Sequence, residues 1–219
     1  MALAIMLMNK TMNKKILIAC EESQAITKAF RKLGFEAYSC DLQECSGGNP
    51  EWHIQGDALK EAYSGKYDMM IAHPPCTYIA NSGNRWLYVD GKRNEPRWKQ
   101  RKLALEFVKK LMDAPIEKIA IENPISAISS EIKKPTQIIQ PYHFGDKVRK
   151  ATCLWLKNLP KLRHTKVVKP EIIRYTNGKT ESVFHRETFN LPYSERGKAR
   201  SKTFQGIANA IANQWSVAL

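Results

Sequence analysis

The sequence predicts a Rossmann-like α/β fold: a mostly parallel sheet with helices on both faces and a small β-hairpin insertion. Three observations lead to it. Four short apolar runs alternate with stretches whose apolar residues recur at helical spacing, the arrangement that builds a parallel sheet under helices. Each run closes on a polar cluster, and the carboxyl ends of such strands are where α/β sheets bind ligands. The chain's 219 residues, 43% of them hydrophobic, suffice for one domain core and exclude a disordered or fibrous chain.

Residues 1–13 open with eight apolar residues followed by lysines, too short to span a bilayer and wrongly flanked for export, and read as a disordered or start-site segment. Residues 15–20 form an apolar run of the kind that makes a buried parallel strand. Ser23 then caps a helix bearing Ile26, Ala29, Phe30 and Leu33, which Gly34 stops. Residues 35–40 read as a second strand ending at Asp41, and residues 67–72 as a third, interrupted by Pro74-Pro75. Residues 116–121 make a fourth that runs into Glu122-Asn123-Pro124. Between the last two, residues 98–112 carry Leu103, Leu105, Phe107, Val108 and Leu111 and predict a helix. Segments 171–175 and 181–185 flank Asn177-Gly178 and predict a hairpin. Residues 204–219, with Ile207, Ala208, Ile211, Ala212 and Trp215 in register, predict a terminal helix. The domain reading is one catalytic unit, 14–156 with 204–219, interrupted by a smaller insertion at 157–203.

The net charge of +14 is unevenly spread: residues 1–76 balance to −1, whereas residues 77–219 carry +15. A neutral front beside a basic rear suggests a small-ligand site next to a polyanion surface. Five cysteines at irregular spacing make no disulfide framework, so a reducing cytoplasm is expected. Cys40 and Cys45 lack a second pair at metal-ligand spacing, and no metal is expected.

Two clusters carry chemistry. In Ala72-His73-Pro74-Pro75-Cys76-Thr77-Tyr78 the prolines fix a bend that holds the cysteine at the end of the third strand. Its thiolate is a nucleophile suited to carbon-6 of a polarised pyrimidine ring. His73 either tunes that thiolate or caps the strand, the second being preferred. Glu122, beside a proline bend at the end of the fourth strand, faces the same crevice, where partial desolvation raises a carboxyl pKa and lets it donate a proton. Asp41 and Asp57 are spaced to accept hydrogen bonds from a ribose and an adenine amino group.

In this order the motifs resemble the cytosine-5 DNA methyltransferases, especially the short forms of phages and prophages. The resemblance spans nearly the whole chain and implies a Rossmann-like methyltransferase fold, S-adenosylmethionine as cofactor, double-stranded DNA as partner and a cytoplasmic setting. It implies cofactor contacts from the 19–24 loop, through Glu22 and Ser23, from Asp41 and Leu42, from Asp57 and Ala58, from Pro74, and from Asn209 in Gln205-Gly206-Ile207-Ala208-Asn209-Ala210-Ile211. Cys76 would be the nucleophile, Glu122 the acid at ring nitrogen 3, and Arg149 the cation that helps hold the extruded cytosine. The sequence departs from the family in having no glycine in the 19–24 loop, Ala208 in a glycine's place, and few residues for target recognition.

Beyond Cys76, Arg85, Trp86, Lys92, Arg93 and Arg97 interleave basic and aromatic residues in a loop suited to closing on DNA. Arg163 and Lys166 are candidate phosphate contacts in the insertion. Three rivals remain open at this level: methylation of an exocyclic amino group, which His73 and Cys76 suit poorly; modification of free pyrimidine nucleotides; and a catalytically silent DNA-binding relative.

Overall fold

The computed structural model describes residues 14–219, so the expected disordered start at 1–13 lies outside the described residues. Its centre is a seven-stranded sheet built from β1 (Lys15–Ala19), β2 (Glu36–Asp41), β3 (His53–Gln55), β4 (Met69–Ala72), β7 (Lys118–Pro124), β8 (Gln137–Ile139) and β9 (Thr152–Lys157). The order is β3-β2-β1-β4-β7-β9-β8. The first five strands run parallel, and β9 is inserted antiparallel between β7 and β8. Strand order reverses between β1 and β4, which opens a crevice at their carboxyl ends, as in doubly wound nucleotide-binding sheets.

Helices cover both faces because side chains alternate along each strand. Ile16 and Ile18 pack with α1 (Ala25–Lys32) and α7 (Gln205–Trp215) through Ile26, Phe30, Ile207, Ile211 and Trp215. Leu17 and Ala19 pack on the opposite face with α2 (Ala58–Ala62), α3 (Glu95–Met112) and α4 (Ile128–Glu131) through Ala58, Leu105, Val108, Leu111 and Ile128. Among the described residues no helix is long and apolar enough to cross a membrane.

The expected strands and both long helices are present with shifted ends. Helix α3 begins at Glu95, three residues earlier than expected, because Asn94 caps it by accepting from Arg97 N at 3.3 Å, with Pro96 in its first turn. Strand β7 continues through Glu122, Asn123 and Pro124, since β9 pairs with those residues as well. Ser23 does not cap α1. Glu21 does, its buried carboxylate accepting from Ile26 N (2.7 Å), Thr27 N (3.3 Å) and Thr27 Oγ1 (2.7 Å).

After β4 the chain makes a 3-10 turn over Asn81–Leu87 and a hairpin of β5 (Tyr88–Val89) and β6 (Lys92–Arg93). Asp90 and Gly91 turn that hairpin with φ of 50° and 72°, values that an Asp-Gly pair adopts readily. Farther on, β10 (Ile172–Arg174) pairs with β11 (Thr180–Ser182). The second arm is shorter than expected because α5 (Val183–Asn190) starts inside it. Glu181 fixes that switch: it accepts from Tyr175 Oη (2.5 Å), His185 Nδ1 (2.7 Å) and Arg186 Nη2 (2.9 Å). The bonds from Tyr175 and His185, with the Arg186 charge, hold its carboxyl down at about 2. Helix α6 (Tyr193–Ser201) completes the insertion. Leu162, by contrast, is buried with Trp215 in the core beside the main sheet, so the start of the segment at 157–203 packs onto the sheet body.

Candidate active site

The register of the sheet builds the site. Ala19 pairs with Ala72 and Ala72 with Ile121, so the next residues of β4 and β7, His73 and Glu122, emerge side by side on one face. His73 N donates to Ala19 O at 2.9 Å, which fixes the exit from β4. Its ring Nδ1 lies 2.9 Å from Glu122 Oε2, with the side chains only 13% and 20% exposed. His73 is therefore neither a strand cap nor a direct partner of Cys76; it is paired with Glu122.

That pairing corrects the expected ionisation of Glu122. Burial alone would raise its carboxyl pKa, but the hydrogen bond from His73 and its charge, with Lys150 adding to them, outweigh burial and hold it below the ordinary carboxylate value. His73 moves the opposite way: burial acts against its charge, yet Glu122 and Glu21 raise it above the usual imidazole value. Both shifts run in the direction of an imidazolium–carboxylate pair.

Cys76 follows in the Pro-Pro bend, half-buried, and its backbone carbonyl accepts from Ile79 N (3.1 Å) and Ala80 N (2.8 Å). Asn123 Nδ2 donates to Pro74 O at 2.8 Å, tying the β7 end to the bend. The Cys76 thiol is pushed up by burial and by Glu122, while Lys150 pulls it down. Lys150 is thus the cation acting on Cys76, Glu122 and His73 together. Arg149, expected to help hold the extruded cytosine, donates to Thr180 Oγ1 and Thr180 O of the hairpin at 3.0 Å each. The two residues are neighbours at the entry to β9, and both are tied to the rear segment: Lys150 Nζ donates to Arg200 O at 2.6 Å and lies 5.6 Å over the Phe204 ring.

The 19–24 loop on the β1 side has no glycine. Cys20 and Gln24 adopt left-handed φ of 59° and 58°, conformations that cost an ordinary residue about 1–3 kcal/mol each and cluster at functional sites. Gln24 is held by its carboxamide, which donates to Asn49 O (2.7 Å) and accepts from Asn49 N (3.1 Å). Glu22 binds Ser46 and is not free. Ser23 is half-buried beside it. Asp41 accepts from Gln43 N through Oδ1 (2.9 Å), and its Oδ2 has no partner among the described residues. Leu42 is 76% exposed at the lip. Asp57 caps α2 through Leu59 N (2.8 Å) while Ala58 is buried beneath it. Burial first, and then the nearby Asp41, Cys40 and Asp57, push the Cys20 thiol up. Asn209 is exposed on α7, accepting from Gln205 Nε2 at 2.8 Å, and is turned to solvent and to its own helix.

Of the basic and aromatic residues beyond Cys76, Arg85 lies over the half-exposed Trp86 ring at 4.8 Å, and Lys92 is exposed in β6. Arg93 pairs with Glu95 at 2.9 Å and lies over Trp98 at 4.5 Å. Arg97 is a brace: it donates to Thr77 O at 3.0 Å and lies over Tyr78. Buried Arg101, which the sequence did not single out, binds Asn84 Oδ1 (2.8 Å) and Glu131 (2.6 Å) and anchors the same loop. Arg163 and Lys166 are exposed in the stretch that follows β9. No protein-family model matches the chain, and no curated protein matches it.

Proposed function

We propose that the protein transfers a methyl group to carbon-5 of cytosine in double-stranded DNA, through an adduct between Cys76 and carbon-6. The observation that carries this reading is the junction of β4 and β7: a bent Pro-Pro-Cys and a Glu-Asn pair leave adjacent parallel strands and are tied by the Asn123–Pro74 hydrogen bond. A nucleophile and an acid on rigid, paired strands suit an extruded base brought to both at once.

The crevice at β1 fits S-adenosylmethionine better than a dinucleotide. In dinucleotide sheets the pyrophosphate sits at the N-terminus of the first helix. Here the Glu21 carboxylate already holds that position, which repels phosphate and favours a cationic ligand. Asp41 would hold the ribose, Leu42 would lie against the adenine, and Asp57 with Ala58 would border it. When bound, the cofactor supplies an electrophilic methyl group. Cys76 adds to carbon-6, Glu122 engages ring nitrogen 3, and Lys150 favours the anionic thiolate. Loss of the carbon-5 proton and expulsion of Cys76 end the cycle.

Mass spectrometry of nucleosides from duplex DNA incubated with protein and S-adenosylmethionine tests the reading; 5-methylcytosine is the expected product, and its absence overturns it. Asp41→Ala is expected to weaken cofactor binding by about 1.5–3 kcal/mol, the worth of a charge-assisted hydrogen bond, with calorimetry as the measurement. The 11 Lys and Arg between Lys161 and Lys202 should make DNA binding steeply salt-dependent, each phosphate contact adding a log-log slope of about −0.9. Arg163→Ala with Lys166→Ala should then weaken binding equally on all duplexes. Trp86→Ala should leave affinity near normal and slow modification, since its place is by the extruded base. Filter binding and single-turnover rates separate the two.

A further inference from the structure

His73 is costly to place where it stands. Its ring is mostly buried, Nδ1 is given to Glu122 at 2.9 Å, and Nε2 is buried with no partner among the described residues. We propose that His73 holds the proton that Glu122 hands to ring nitrogen 3 of the cytosine. The proposal rests on the methyltransferase reading and adds to it the source of that proton.

Ring nitrogen 3 of neutral cytosine is an acceptor, so a bare carboxylate facing it has nothing to donate. The 2.9 Å pairing with His73 Nδ1 draws Glu122 toward that carboxylate and the imidazole toward holding the proton. Three charged groups face His73: Glu122 on β7, Glu21 in the β1–α1 loop, which favours the imidazolium, and Lys150 ahead of β9, which opposes it. As the Cys76 sulfur bonds to carbon-6, the ring electrons shift toward nitrogen 3. The proton of His73 Nδ1 passes to the Glu122 carboxylate and from it to nitrogen 3, so the nitrogen 3–hydrogen bond forms while Glu122 is left a carboxylate and the imidazolium becomes a neutral imidazole. One proton moves, nothing is oxidised, and expulsion of Cys76 returns the proton by the same path. His73 touches no substrate atom and is a positioning residue acting through Glu122.

The pH dependence of single-turnover methylation by the full protein tests this. One limb of the profile belongs to Cys76 and the other to His73. In His73→Gln the proton must sit on a carboxyl, which titrates below a raised imidazole, so the His73 limb should move to lower pH. The rate near neutrality should fall about 100-fold, the scale of a lost proton donor. A fall in rate with both limbs unmoved would show a merely structural residue and overturn the proposal. A second measurement needs no activity: in the substrate-free protein, Glu122→Gln should lower the His73 pKa read by imidazole NMR, and an unchanged value would overturn the pairing. Absence of any methyl transfer by the unaltered protein would instead overturn the reading on which the proposal rests.

Discussion

Cys76→Ala is expected to abolish modification, by about a million-fold, the scale seen when a covalent nucleophile is removed. The same variant should form no adduct on an oligonucleotide containing 5-fluorocytosine, where the carbon-5 fluorine blocks elimination and traps the sulfur–carbon-6 bond. Folding should be spared, because the bend is held by the prolines, by the backbone carbonyl of Cys76 accepting from Ile79 and Ala80, and by Asn123 on Pro74 O. Cofactor affinity should also be spared, since the proposed contacts lie across the crevice on β1, β2 and α2. A stable adduct in Cys76→Ala would remove this residue from its role. The thiol of Cys20, pushed well up by burial and two aspartates, is a poor substitute.

The largest expected effect on stability comes from Gly206→Ala. A Cβ at this position would lie 2.0 Å from Phe144 O and 2.7 Å from Asp146 Oδ2, and the first of these is backbone that cannot swing away. The close approach serves the docking of α7, whose first turn is fixed by Gly206 N donating to Asp146 Oδ2 at 3.0 Å. Overpacking of this kind costs about 3 kcal/mol. For a domain of this size that lowers the melting temperature by about 6–12 °C. Gly197 in α6 has nothing within 4 Å of its added Cβ, and Gly197→Ala is the matching control, expected to gain about 0.5–1 kcal/mol of helix propensity. Equal melting temperatures for the two variants would contradict the close packing at α7.

The parts of the fold legible in the sequence are those whose signal is local. The strands at β1, β2, β4 and β7 announce themselves by apolar runs, and α1, α3 and α7 by spacing. Cys153-Leu154-Trp155-Leu156 in β9 is as plain a run as the others, yet its antiparallel place between β7 and β8 depends on partners distant in the chain. The hairpin at Asp90-Gly91 was not anticipated, because its flanking arms of two residues each are too short to read as strands. Helix α6, Tyr-Ser-Glu-Arg-Gly-Lys-Ala-Arg-Ser, has no apolar stripe to betray it. In the site, Cys76 and Glu122 were legible because prolines mark the strand ends. The pairing of His73 with Glu122 was not, because it follows from the register of residues 49 apart. The hydrogen bonds of Arg149 to Thr180, 31 residues on, were not legible for the same reason.

The docking of α7 on α1 also sets the order in which the protein becomes whole during synthesis. Ile26, Ala29 and Phe30 of α1 leave the ribosome early, while Ile207, Ile211 and Trp215, which share their core, emerge about 180 residues later. At about 5–20 residues per second the nascent chain carries that greasy face uncovered for roughly 10–35 s. The β1–β4 half therefore matures on the ribosome with one side of its sheet bare. A stalled or shortened transcript ending before residue 205 would release a polypeptide with that side exposed, a substrate for chaperones and proteases.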